Sequence, residues 1–389
     1  MTAQQAQASA RSGQASPRPP RRPTAADGLL IVDKPQGWTS HDVVGRCRQL
    51  AGTRKVGHAG TLDPMATGVL VLGVGKATKL LTYVVGADKQ YTATIRLGVG
   101  THTDDAQGQV TSASGFTLDR PEDLDEAIAQ LTGDIVQVPS SVSAIKVDGQ
   151  RAYARVRAGQ DLALKARPVT VSQFDVTAIR PVAFHVPEAG HVRVPADAGV
   201  TGHAGVTEAG CGTADVGLPA AQALSSEMAL SNEPALPVVD VDVSVTVSSG
   251  TYVRALARDL GSLLGTAGHL TALRRTRVGG YTLDQALTLE QMEAQADADG
   301  VLATCDMATA VASIMPVRHL DVQQANALGF GQWIDATGQA GVHAGLGPDG
   351  ALVALLEDHR RLGKPLAKPV LVFAATPTQC RCGDCCEDK

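Results

Sequence analysis

The stretch GHAGTLDPMATGVL, residues 57–70, sets a lone carboxylate, Asp63, among glycines 57, 60 and 68 and ahead of an apolar run. Asp-Pro is a common turn opener, because Asp bonds its own backbone and Pro fixes the next φ. The glycines add something else, since they let backbone or ligand approach closely. The apolar run would place the carboxylate at the edge of a dry pocket. A desolvated carboxylate acts as a base or a nucleophile and needs a cation beside it to stay ionised. Arg254 in GTYVRAL and Arg274, Arg275 and Arg277 in LRRTR are the candidates. From Thr251 to Leu283 there are five arginines against one acid, Asp259, a local balance suited to phosphate contacts. Arg258, beside Asp259, reads as part of a solvated helix face. Tyr91 and Tyr252 are two of only five tyrosines, and each sits in or beside a strand. There a ring either packs or stacks on a nucleobase.

These residues need elements to hold them. Leu29 to Val32 reads as a buried strand, followed by a KPQG turn. Thr39 and Asp42 form a capping-box start for a helix ending at Gly52. Val69–Val74 is a second buried strand, Lys76–Val85 a helix, and Tyr91–Leu97 an alternating strand. Pro121–Leu131 is a helix with an acidic first turn. Residues 238–247 alternate as a strand, and Val253, Leu256, Ala257, Leu260, Leu263 and Leu264 share one helical face. A short helix follows near LEQMEAQ, and short strands follow from about 316. Strands and helices mix without β-α alternation, which predicts an α+β fold rather than a doubly wound one.

The 389 residues suffice for two modest domains, and 44% are hydrophobic, enough for a sizeable core. A net charge of −5 excludes a uniformly basic nucleic-acid protein but not a basic patch. No apolar run reaches the roughly 18 residues that cross a bilayer, and the start lacks a secretory signal. Four of seven cysteines crowd into CRCGDCC at 380–386, in a spacing that matches no standard zinc site. Cysteine usage fits a reducing cytoplasm. Residues 1–27 are expected to be a solvated basic tail whose Arg11, Arg18, Arg21 and Arg22 could touch RNA phosphates. Residues 181–235, rich in Ala, Gly, Val and Pro, read as a surface insertion, and the spacing of His185, His191 and His203 makes no metal site.

Seven blocks, in order, carry a resemblance: GLLIVDKPQGWTSHDVV, KVGHAGTLDPMATGVLVLGVGKATKLL, KQYTATIRLG, QVPSSVSAIKVDGQRAY, RPVTV, SGTYVRALARDLG and GHLTALRRTRVGGY. Together they resemble the tRNA pseudouridine-55 synthases of the TruB type. The resemblance implies a mixed, mostly antiparallel sheet flanked by helices over residues 28–300. It also implies a small β-rich, PUA-like RNA-binding domain at 316–375, whereas the Cys-rich tail at 376–389 has no counterpart in that pattern. It further implies an isomerase that flips uridine 55 out of the T-arm of tRNA, breaks the C1′–N1 bond, turns the uracil over and rejoins it through C5.

By that resemblance Asp63 is the essential carboxylate, Tyr91 stacks on the base and handles a proton, and Arg254 pairs with the carboxylate. Tyr252 and Leu273 line the base pocket, His58 holds the opened T-loop, and Lys34 supports the site. Arg274 and Arg275 are expected to contact RNA phosphates. No cofactor, metal, membrane or obligatory protein partner is expected, and a monomer in the cytoplasm is. Three competitors share parts of this reading: a guide-RNA-dependent synthase of the dyskerin type, a tRNA-folding chaperone that opens the elbow, and a uracil-excising enzyme.

Overall fold

Alternation along the strands builds one large twisted sheet. In the computed structural model, which describes residues 22–140, 146–147, 150–151, 165–186 and 235–373, the elements run as follows. β1 (Gly28–Lys34), α1 (Ser40–Leu50), β2 (Val56–Ala59), β3 (Thr67–Val74), α2 (Leu81–Gly86) and β4 (Lys89–Leu97) come first. α3 (Pro121–Gln130), β5 (Gly133–Gln137), β6 (Arg167–Phe184), β7 (Leu236–Val247), α4 (Val253–Leu263) and β8 (Gly268–Val278) follow. β9 (Tyr281–Thr282), α5 (Leu289–Asp299) and β10 (Cys305–Asp306) close this part. The strand order is β10-β1-β3-β8-β4-β7-β6-β5, with β2 and β9 as side branches on β3 and β8. Every pairing is antiparallel except the short one between β3 and β8.

The core follows the pattern. Tyr91, Ala93, Ile95 and Leu97 of β4 and Val239, Val241, Val243, Val245 and Val247 of β7 are buried in one cluster. Leu256, Ala257 and Leu260 of α4, Leu124 and Ile128 of α3, and Val43, Val44 and Cys47 of α1 pack into the same cluster. α1 opens with the expected reciprocal cap between Thr39 and Asp42. Gly52 then turns the chain at φ 61°, where a Cβ would sit 2.4 Å from the Arg22 carbonyl oxygen.

Several expectations are corrected. Residues 22–27, expected in the solvated tail, are packed: Ala25 is buried, its amide donates to Ala51 O (2.9 Å), and Arg22 pairs with Asp297 at 2.5 Å instead of standing free for phosphates. The helix expected over 76–85 is a 3₁₀ turn, Gly75–Lys79, followed by α2. Ala77, Leu80, Leu81 and Val84 are buried, a three- and four-residue spacing that either helix type satisfies. β6 stays paired with β7 as far as Phe184, past the expected start of the insertion at 181, while β7 begins at Leu236, directly after its expected end at 235. The sheet also takes in Cys305 and Asp306, beyond the expected boundary at 300, where they pair with Leu29 and Gly28. The N-terminal tail before 22, residues 187–234, most of the QVPSSVSAIKVDGQRAY block and the Cys-rich tail lie outside the described residues.

The C-terminal part holds β11 (Val317–His319), α6 (Val322–Gly329), β12 (Ile334–Asp335), β13 (Val342–Leu346), β14 (Leu352–Arg361) and β15 (Lys364–Val372). They form a five-stranded sheet in the order β11-β13-β14-β15-β12. Ala344, Leu346, Leu355 and Phe373 pack in one cluster with Leu29, Ile31, Val69 and Val71. The small domain therefore shares with Leu81 and Val84 of α2 and with Ala310 and Val311 the covering of the side of β1 and β3 turned away from α1.

Candidate active site

Asp63 lies in the turn between β2 and β3, and neighbouring segments fix that turn. The Ser40 hydroxyl donates to Leu62 O (3.2 Å) and accepts from Leu62 N (2.9 Å), while Gly37 N donates to Pro64 O (2.8 Å). The wholly buried Lys34 ammonium donates to Pro35 O, Trp38 O and Pro64 O, tying the KPQG turn to the Asp-Pro turn. Burial pulls its pKa down to about 8, with the Asp63 charge working the other way. Gly68 is required where β3 meets β8, because a Cβ there would fall 2.2 Å from Arg275 O.

Arg254, the second residue of α4, is buried and brings its Nε to 3.0 Å from Asp63 Oδ2. Its Nη1 donates to Thr103 O (2.9 Å) and lies 3.5 Å from Asp105 Oδ2. Asp105 is buried and held by Thr103 Oγ1 (2.6 Å) and Gln107 N (3.0 Å). The guanidinium thus sits between two carboxylates, one half-open to solvent and one enclosed. Sequence reasoning missed Asp105. The available signal was THTDDAQG, a polar run straight after an alternating strand.

Asp63, Arg254, Tyr91, Tyr252, Leu273 and Arg275 line one cavity of about 300 Å³. Tyr91 and Leu273 reach it from adjacent strands, where Ala93 faces Leu273 and Tyr91 faces Arg275 across the ladder. Tyr252 precedes α4 and has no side-chain cap of its own. Buried Gln137 takes that role: its amide accepts from Tyr252 N (2.8 Å) and donates to Tyr252 O (3.0 Å). Burial raises the Tyr252 phenol pKa. Gln137 also escaped sequence reasoning, since a lone Gln at a strand end carries no signal.

The remaining expected residues fall elsewhere. His58, on β2, meets His41 edge-on, with ring centroids 5.8 Å apart. Burial first, then the charges of His41 and Arg275, lower its pKa. Neither His58 nor Lys34 lines the cavity. Arg274 points to the opposite side of the sheet, bidentate to Asp33 (3.0 and 2.7 Å) with Thr67 Oγ1 at 3.2 Å. Arg275 is 1% exposed and donates to Val69 O (2.7 Å) and Gly60 O (3.2 Å). Of the two arginines expected to contact phosphates, Arg274 is held by a carboxylate and stays partly exposed, and Arg275 is enclosed behind the Gly60 turn. Arg258 is also more than a solvated bystander. It reaches Asp104 (3.2 Å), Val138 O (2.8 Å) and Asp259 (2.8 Å). Among the described residues no group of three or more His, Cys, Asp or Glu could hold a metal ion.

The family model "TruB family pseudouridylate synthase (N terminal domain)" matches residues 48–192. "tRNA pseudouridylate synthase B C-terminal domain" matches 254–311, and "tRNA Pseudouridine synthase II, C terminal" matches 315–374. A tRNA pseudouridine synthase B from Arthrobacter sp. (strain FB24) is 52% identical over 361 residues, covering 90% of this chain and 98% of that protein. Its namesakes from Nocardia farcinica (48%, covering 90% and 95%) and Thermobifida fusca (47%, covering 90% and 100%) are similar over nearly their whole lengths. Among solved structures, an H/ACA RNP bound to a substrate RNA containing 2′-deoxyuridine superposes with a TM-score of 0.57 at 20% identity, covering 90% of this chain and 86% of that one. A Cbf5-Nop10-Gar1 complex gives 0.55 at 22%, covering 89% and 84%. These two structures share the fold.

Proposed function

The chain belongs to the TruB family of pseudouridine synthases, and on that premise we propose that it isomerises uridine 55 in the T-arm of tRNA. The observation that carries the reading is the contact of Asp63 with buried Arg254 at the mouth of a cavity walled by Tyr91, Tyr252 and Leu273. A stacked base must be everted to reach such a cavity, at a cost of a few kcal/mol. Gly60 leaves room at the turn, and Leu273 with the Tyr91 ring gives the uracil an apolar slot. Arg254 keeps Asp63 charged and aimed at the ribose. There Asp63 either attacks C1′ or assists removal of the C2′ proton. The C1′–N1 bond breaks, the uracil rotates within the slot, and C1′–C5 forms. The C5 proton leaves and N1 gains one, so the atoms balance without an oxidant, a metal or a nucleotide.

His58 and the KPQG turn held by Lys34 stand beside this mouth and support the opened T-loop. The C-terminal domain adds RNA contacts through the β14–β15 hairpin, where exposed Arg360, Arg361, Lys364 and Lys368 cluster and Arg361 lies over the Trp333 ring at 5.1 Å. Arg361 and Lys364 face each other directly across the ladder, a like-charge pair that a phosphate backbone relieves. The chain acts alone as a monomer in the cytoplasm.

The experiment is pseudouridine mapping in a bare T-arm hairpin incubated with purified protein and with its Asp63→Asn variant. Conversion at position 55 at unchanged RNA mass, abolished in the variant while binding persists, is the expected result. Turnover by Asp63→Asn would refute the reading. Loss of base would show excision instead, and a need for a guide RNA would show a particle-type enzyme.

A further inference from the structure

One half of the cavity has no part in that chemistry. It is lined by Gly60, Lys89, Ser249 and Gly250. Lys89 is 6% exposed, and its Nζ donates to Val85 O (2.7 Å) and Ala87 O (2.6 Å). Ser249 Oγ donates to the same Val85 O (2.7 Å), so ammonium and hydroxyl converge on one carbonyl. A Cβ on Gly60 would stand 3.7 Å from both Lys89 Cε and Arg275 Nη1, so two cations press on one turn. Among the described residues neither makes an ion pair with a carboxylate, in contrast to Arg254. An enclosed charge held only by carbonyl dipoles is costly. Capping α2 does not require this arrangement, since an exposed lysine can snorkel to the same carbonyls.

The charges lining the cavity do not balance. Lys89, Arg254 and Arg275 face Asp63, with Asp105 behind Arg254. Positive charge is left over, and it lies on the side away from the carboxylate. A nucleotide entering with its ribose at Asp63 must bring a phosphodiester, one negative charge, within a few ångströms of that side. The Lys89 ammonium has three N–H groups and uses two on carbonyls, which leaves one for an occupant.

We infer that Lys89, with Ser249 beside it and the Arg275 charge behind, forms a phosphodiester subsite for the everted nucleotide. The inference rests on the reading of this cavity as a nucleoside site. It assigns Lys89 a task distinct from the chemistry: its charge is neutralised only when substrate is seated, so it favours the everted state over the stacked one. The burial and the Arg275 charge that hold the Lys89 pKa at about 8, against a pull from Asp88, are offset once the anion arrives.

The test uses the full chain carrying Asp63→Asn, so that binding is read without turnover. Its affinity is measured for a T-arm hairpin and for hairpins in which one linkage flanking the target uridine is a neutral methylphosphonate. One of the two neutral linkages should weaken binding about tenfold, and adding Lys89→Met should make the charged and neutral hairpins bind alike. Should Lys89→Met fail to fold, pH gives the same information: the preference for the charged linkage should fade as pH rises through about 8, where Lys89 loses its proton. Equal binding of all hairpins, or a preference that survives both Lys89→Met and high pH, overturns the subsite. A parent protein that neither binds the hairpin nor converts it would instead overturn the reading of the cavity.

Discussion

Arg254 and Arg258 stand one turn apart on α4 and grip adjacent aspartates, Asp105 and Asp104. The pairs look alike, but the arginines differ in what else they touch. Arg254 is enclosed and carries a second carboxylate, Asp63, into the cavity. Arg258 is about a third exposed, and its other hydrogen bonds go to Val138 O and Asp259. Asp104 itself sits at φ 59°, a left-handed backbone, and burial raises its carboxyl pKa. The lesson is that an Arg–Asp pair is not in itself a sign of catalysis. On the proposed reading, the third partner decides whether it serves the reaction or fastens α4 to the end of β5.

The largest expected effect tests the cavity member of that comparison. Asp63→Asn should cut turnover by at least about 10⁴-fold in a tritium-release or mapping assay. Arg254→Ala leaves Asp63 and the enclosed Asp105 without their cation. It should cost about 3 to 5 kcal/mol, or roughly two to four orders of magnitude in kcat, with KM much less affected. Arg254→Lys should recover little, because an ammonium cannot serve Thr103 O and two carboxylates with the geometry of a planar fork. Asp105→Asn keeps the shape but removes one charge and should lower kcat roughly tenfold.

Arg258→Ala is the other half of the comparison. It should lower the melting temperature by a few degrees, consistent with loss of about 1 kcal/mol from a partly exposed network, and change kcat by less than about threefold. If Arg258→Ala slowed turnover as much as Arg254→Ala, the distinction between the two turns of α4 would collapse. A double variant of Arg254 and Asp105 that is far less than additive would sharpen it, since both residues would then act as one unit.

How much of this could be read in the sequence depends on distance along the chain. The strands of the sheet were legible because alternation is local: Tyr91 to Leu97 and Val239 to Val247 reveal their buried faces without knowledge of any partner. Asp63 and Arg254 were legible through motifs. The fates of Arg274 and Arg275 were not, because consecutive residues of a strand point to opposite faces, and only the β3–β8 pairing decides which one reaches Gly60. Gln137, Asp105 and Arg258 act across separations of 115, 149 and 154 residues. No local pattern records such a contact.

The smallest effect separates carbonyl-held cations from carboxylate-held ones. Lys34 and Lys89 have folded-state pKa values near 8 against the ordinary 10.5, so above about 8 the unfolded chain binds more protons than the folded one. Stability against urea should therefore rise with pH from about 8, the cost of the two buried charges being fully present below it. Cys47, pushed up to about 12 from 9.0 by burial, works the other way once pH passes 9.0, because the folded chain then holds a proton that the unfolded chain has lost. The rise should thus be steepest between about pH 8 and 9 and shallower above, where the one thiol offsets one of the two ammonium groups. Lys89→Met should flatten it by about half, since one of two similar groups is gone, whereas Arg258→Ala should lower the whole curve without changing its slope there. An unchanged slope in Lys89→Met would mean that its ammonium is not the strained charge that the geometry around Gly60 describes.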